Sequence, residues 1–313
     1  MKNVTGRSLS RRSNKTFSKI KINWQLYLLL LIPLAYIIIF KYIPMYGAQI
    51  AFRDYRFIDG FGGSKWVGLK HFENFVNSPY IGRLLSNTIG ISLYYLIVGF
   101  PMPIILALAI NEADNKIFGK AVQTITYAPY FISTVIIVSM MIQMFSPQMG
   151  VVNKAIEALG GKKINFLGEP DYFQSLYVWS AVWQMTGYSS IIYIAALAGI
   201  DPSLHEAAVV DGATRLQRVW HINIPGIMPT AVILLILSVG RVMNVGFEKV
   251  FLMQNPLNMS KSEVISTYVY RVGLTSGQFS FSAAVGLFNS VINCILLVTV
   301  NRISKKMGQN SLW

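Results

Sequence analysis

The sequence predicts an all-α polytopic membrane protein with six transmembrane helices, both termini cytosolic, and short cytosolic helices between the fourth and fifth spans. Composition is the first observation. Hydrophobic residues make up 53% of the 313 residues and charged residues 13%, against roughly 25% charged in soluble domains. The second is the recurrence of apolar runs long enough to cross a bilayer, separated by polar segments. The third is charge placement. Seven Lys or Arg and no acid precede Trp24, and Arg302, Lys305 and Lys306 follow the last apolar run. Such clusters mark the cytosolic side, so the net charge of +14 reads as a topology signal with an anionic-lipid contact, not a nucleic-acid surface.

Each element follows in order. Residues 1–23 form a solvated basic cytosolic tail, and the first span covers 24–46, with aromatics near both ends as interfacial belts prefer. Its apolar part exceeds a cleavable signal's, and no small-residue cleavage site follows, so the span is retained. Residues 47–83 are an external segment of mixed charge. The second span, 86–110, is kinked by Pro101 and Pro103, and 111–119 is a polar turn placed inside by parity. The third span, 120–145, contains Tyr127-Ala128-Pro129-Tyr130, a further distortion, and 146–174 returns outside. The fourth span, 175–200, is rich in Trp, Tyr, Ser and Thr. The fifth covers 226–253, an external segment 254–279 follows, and the sixth span is 280–300.

The stretch between spans four and five, residues 201–229, carries the most information. Asp201 suits a helix cap, Pro202 the first helical position, and residues 203–211 favour helix. Gly212 permits the positive φ of a sharp turn, and 213–224 begins a second helix, with Pro225 and Pro229 limiting its entry into the next span. Glu206-Ala207-Ala208, Asp211-Gly212-Ala213, Gln217, Ile222 and Ile224-Pro225 resemble the E-A-A-x-x-x-G loop of permease subunits in binding-protein-dependent ABC importers. Gly68-Leu69-Lys70-His71-Phe72 resembles a stretch that often precedes the second span in sugar-importer permeases, and residues 195–200 resemble the family's lead-in to this loop. Residues 252–256 and the terminal Ser311-Leu312-Trp313 look like permeases for complex oligosaccharides, including the alginate-importer type. Where many sugar permeases have Gly-Gly-Pro, this chain has Gln254-Asn255-Pro256.

The resemblance implies that residues 24–313 are an ABC importer transmembrane domain in the bacterial cytoplasmic membrane. It further implies a second homologous permease, two cytosolic ATPases that bind ATP and Mg, and an extracellular, lipid-anchored binding protein. Glu206, Ala207, Ala208, Asp211, Gly212, Ala213 and Pro225 would then couple to the ATPase. The chain itself offers no bond-making chemistry. It has no G-x-x-x-x-G-K-[ST] loop, and His71, His205 and His221 lack metal-ligand spacing. The single Cys294, in an apolar run, forms neither a disulfide framework nor a cysteine zinc site. No cofactor or catalytic residue is therefore assigned. The alternatives are an ABC permease for another solute and a proton- or sodium-coupled secondary transporter, which usually shows internal repeats or titratable groups in several spans.

Candidate pathway residues come from polar positions within spans. Gln184 and Tyr188 lie four apart on a helix face, as do Asn289 and Asn293, and such stripes suit either a saccharide path or interhelical hydrogen bonding. Arg241, Asn244 and Glu248 fall at i, i+3 and i+7 of the fifth span, with Phe247 at the stripe's edge. A charge at midspan costs about 2.5–3.5 kcal/mol or more, so this face is expected to point at the permease interface. It either lines the pathway, with Asn244 and Glu248 bonding substrate hydroxyls, or pairs Arg241 and Glu248 across helices, unless Glu248 is simply hydrated near the outer surface.

Overall fold

The computed structural model describes residues 22–306. Most of the basic tail, and the Ser311-Leu312-Trp313 terminus, lie outside the described residues. The first long helix runs from Trp24–Ile37 through a π-helical segment, Ile38–Tyr42, into Ile43–Met45. None of its residues is buried; only the 3-10 segment that follows, Tyr46–Phe52, packs on the final helix. Arg53–Asp54 then pairs antiparallel with Lys65–Trp66, and a short helix, Lys70–Val76, follows.

The second span is Ile81–Gly99 followed by Pro101–Asn111, interrupted at Phe100 where the proline removes a backbone donor. The third departs further from expectation. Lys116–Phe131 and Thr134–Met144 are bent by 97°. Pro129 lies in the 3-10 turn Ala128–Phe131, Ile132 and Ser133 are extended, and Ser133 caps the second half. The result is a broken span, not a distorted one.

Pro170–Ala198, at 29 residues, lies at the centre of the bundle and touches both halves of the second and third spans. Its buried Phe173, Tyr177, Val178 and Val182 pack with Ile137, Met141, Val250 and Met253. Further along the same helix, Tyr193 and Leu197 meet Ala107, Ile227 and Ala231. Gly187 permits the closest approach: a Cβ there would lie 2.0 Å from the Thr126 carbonyl oxygen.

Pro202–Val210 is the first loop helix, and a continuous helical run then extends from Arg215 to Val239. The second loop helix enters the fifth span past Pro225 without a break, because the helix widens there. A π-helical segment, Val219–Asn223, immediately precedes Ile224 and Pro225. The wider winding accommodates a proline that would otherwise clash with the carbonyl four residues earlier. The first helix repeats the device, with Ile38–Tyr42 two residues before Pro44.

The fifth span is also broken. Ile224–Val239 ends at Gly240, residues 240–246 turn, and Phe247–Met253 begins a new helix. The last helix, Phe279–Lys306, spans 28 residues. Four described helices are long and apolar enough to cross a membrane, and the bent pair makes a fifth candidate. Pro170–Ala198 has the length but carries the polar and aromatic residues noted above. Near the outer segment, Glu263 is 1% exposed and clamped between Arg83, 2.6 Å away, and Arg271, whose Nε donates at 3.0 Å.

Candidate functional site

Two surfaces concentrate the residues nominated by sequence. The first is the loop 201–218. The Asp201 carboxylate accepts the Ser203 N–H at 2.9 Å, capping Pro202–Val210, and this contact holds its pKa below the ordinary carboxylate value. Gly212 turns the chain at φ +78°, a conformation costly to residues with a Cβ. Thr214 and Gln217 form a reciprocal capping box that starts Arg215–Arg218. The loop is tied down by a two-bond Arg215–Asp114 pair at 2.8 and 2.9 Å, and by the buried Asn223 donating to Glu112 at 2.9 Å. Both acids lie in or beside the turn after the second span.

Ala208, Asp211, Gly212, Ala213 and Gln217 line a notch of about 320 Å³. Glu206, Ala207 and Pro225 are exposed. Val210 is 87% exposed and Leu216 66%, so the loop presents an apolar surface that nothing else among the described residues covers.

The second surface is a cavity of about 620 Å³ between the second span, the central helix and the fifth-span break. Gln184, Tyr188, Arg241 and Asn244 line it, together with Tyr95, Tyr177 and Lys249. Gln184 and Tyr188 also brace the broken third span. Gln184 donates to the Ile132 carbonyl at 3.0 Å, and Tyr188 stacks on Tyr130 at 3.7 Å between centroids with 4° between planes.

The single helical face expected for Arg241, Asn244 and Glu248 does not exist. The 240–246 turn resets the helical phase, so Arg241 and Asn244 face the cavity while Glu248 is exposed outside it. Phe247 instead joins Phe251 and Tyr270 beside a separate apolar cavity of about 490 Å³, which Asn289 also lines. Asn289 and Asn293 lie away from the larger cavity and both donate to the Asn244 side chain, at 3.0 and 3.2 Å. Asn293 also accepts the Met243 N–H at 3.1 Å. These two amides hold the fifth-span break against the last helix.

Lys249 was not nominated by sequence. It is 7% exposed, donates to the Tyr177 carbonyl at 3.2 Å, and lies 5.0 Å from that ring's centroid. A lysine inside an apolar run was a visible signal, but an unbroken helix would direct it differently from Arg241 and Asn244.

A bundle of broken apolar helices around a cavity that carries a few polar and charged side chains, with a protruding helical loop at one end, defines a multi-pass membrane transport subunit. Residues 99–309 match the binding-protein-dependent transport system inner membrane component family, and the chain belongs to it. It is 45% identical over 288 residues to protein LplB of Bacillus subtilis (strain 168), covering 92% of this chain and 91% of LplB. It is 44% identical over 288 residues to the polygalacturonan/rhamnogalacturonan transport system permease protein YteP of the same organism, covering 92% and 90%. Among solved structures, a bacterial alginate ABC transporter in complex with alginate pentasaccharide-bound periplasmic protein contains a chain with TM-score 0.86 and 39% identity. That similarity covers 95% of this chain and 99% of the other.

Proposed function

We propose that this chain forms half of the translocation pathway of an ATP-driven importer whose cargo is an oligosaccharide handed over by an extracellular binding protein. A second permease would complete the path, and two cytosolic ATPases would bind ATP and Mg and drive it. In this reading Pro170–Ala198 is the fourth membrane crossing and brings the total to six, and the fifth is Arg215–Val239 together with Phe247–Met253. Both termini and the 201–218 loop are then cytosolic. The exposed first helix faces lipid or the second permease.

The observation that carries this reading is the lining of the larger cavity. Tyr95 and Tyr188 offer aromatic surfaces while Gln184 and Asn244 offer amides. Aromatic faces stack on sugar C–H surfaces and amides bond hydroxyls, so the mixture suits a polyhydroxylated chain. The names of YteP and the alginate transporter point to saccharides as well. For the cytosolic side, the uncovered apolar loop and its notch fit a protein groove, with Glu206 pairing to a basic residue of the ATPase. Rigid loop helices then carry closure of the ATPases into the spans.

The test is uptake by the complete transporter in liposomes, loaded with its binding protein and offered saccharides, glycerol phosphate and amino acids. Stimulation of ATPase and uptake by saccharides alone is the expected result. Stimulation by a different solute, with no saccharide carried, refutes the cargo class.

A further inference from the structure

The larger cavity is unbalanced in charge. Lys249 and Arg241 both line it, and no Asp or Glu does. Among the described residues neither cation takes part in an ion pair. Lys249 is nine-tenths buried, yet among the described residues its ammonium has one hydrogen-bond acceptor, the Tyr177 carbonyl, plus the face of the Tyr177 ring. The adjacent acid, Glu248, is exposed and does not line the cavity.

The rest of the molecule treats buried charge differently. Glu263, equally removed from solvent, is met by two guanidinium groups. A buried ammonium without a counter-charge is costly, and a charge inside a membrane segment that persists without a partner marks a functional position. A low-dielectric cleft lined by one sign of charge also raises the local concentration of the opposite ion.

We infer that the cavity takes an anionic oligosaccharide, with an acidic group seated on Lys249 and Arg241 as the second contact. This rests on the saccharide reading above. The sugar faces stack on Tyr95 and Tyr188, while the acidic group supplies the counter-charge that the chain withholds. Uronate carboxylates and sulfate esters share this chemistry, because an ammonium acts as a point charge toward either.

The experiment uses the complete transporter in liposomes with its binding protein and four probes: trigalacturonate, its methyl ester, a sulfated trisaccharide and maltotriose. Uptake of an anionic trimer, and not of the methyl ester or maltotriose, is expected. Lys249→Met and Arg241→Gln should each lower that uptake by roughly tenfold or more, the size of a lost charged hydrogen bond, while Lys249→Arg retains most of it. Raising salt should slow the wild type more than either charge-removing variant. Which anionic trimer is carried separates carboxylate from sulfate.

Uptake of the anionic trimer at wild-type rates by both Lys249→Met and Arg241→Gln, or uptake of maltotriose or the ester by the wild type as fast as the anionic trimer, overturns the inference and leaves the saccharide reading intact. Failure of all four probes, with a non-saccharide solute carried, overturns the saccharide reading itself. Co-purification with the partner subunits reports assembly. Where Lys249→Met does not assemble, Arg241→Gln, on the exposed turn, carries the same test.

Discussion

Gly187→Ala is the smallest change that should damage this bundle most. The added Cβ would lie 2.0 Å from the Thr126 carbonyl oxygen, 2.3 Å from its carbon and 2.9 Å from the Tyr127 nitrogen. All three are backbone atoms at the end of Lys116–Tyr127, so no side chain can rotate away. Ordinary contact begins at 3.4 Å, so the central helix and the third span must part by about 1.4 Å. Overpacking of this kind costs about 1–3 kcal/mol or more in a well-packed interior. Two interactions span the same junction and should weaken with it: the Gln184 bond to the Ile132 carbonyl and the Tyr188–Tyr130 stack. Thermal unfolding of the purified complex, followed by intrinsic fluorescence, measures the loss. Gly286→Ala is the control, since a Cβ there meets nothing within 4 Å. Its helical position should make it neutral, or stabilising by up to about 1 kcal/mol. Equal midpoints for the two variants would refute the close-approach argument.

Gly212→Val should cost about 1–2 kcal/mol locally, because φ is +78° and not because space is short, and Gly212→Asn should cost less. Together with Glu206→Ala it should abolish substrate-stimulated ATPase while leaving membrane insertion unchanged; normal uptake in both variants sinks the coupling role. Asn293→Ala strips the acceptor from the Met243 N–H and should lower stability by about 1–3 kcal/mol, read as a drop in the thermal midpoint of the complex. The Asp201 carboxyl titrates below its ordinary value of 3.8 because it accepts the Ser203 N–H. Its capping contribution is therefore complete above that value and lost as pH falls through the lowered one. Hydrogen exchange in Pro202–Val210, corrected for intrinsic rate, should accelerate over that acidic window in the wild type but not in Asp201→Asn. Identical profiles would remove the cap from the account.

The loop was the most legible part of the chain. Its signals act over a few residues: Asp201 before Pro202 and a glycine at the turn. Such caps are decided by local hydrogen bonding, and the structure reproduces them. Prolines were read less well, because their effect depends on how neighbours absorb them. Pro101 interrupts a helix at Phe100, Pro129 accompanies a bend of 97°, and Pro225 is accommodated by a π segment without a turn.

By itself the sequence determined that this chain is helical, membrane-spanning and built around one capped polar loop. Those properties follow from hydropathy and short-range capping, which need no knowledge of distant contacts. Only the tertiary structure decided which polar side chains meet. Helical periodicity carries phase only as far as the helix runs, and the 240–246 turn ends it. Within that turn Arg241 and Asn244 reach the cavity beside Lys249, beyond it Glu248 faces away, and Asn289 and Asn293 close on Asn244 from a helix some fifty residues later. Those meetings arise from packing between segments distant in the chain, which no local pattern encodes.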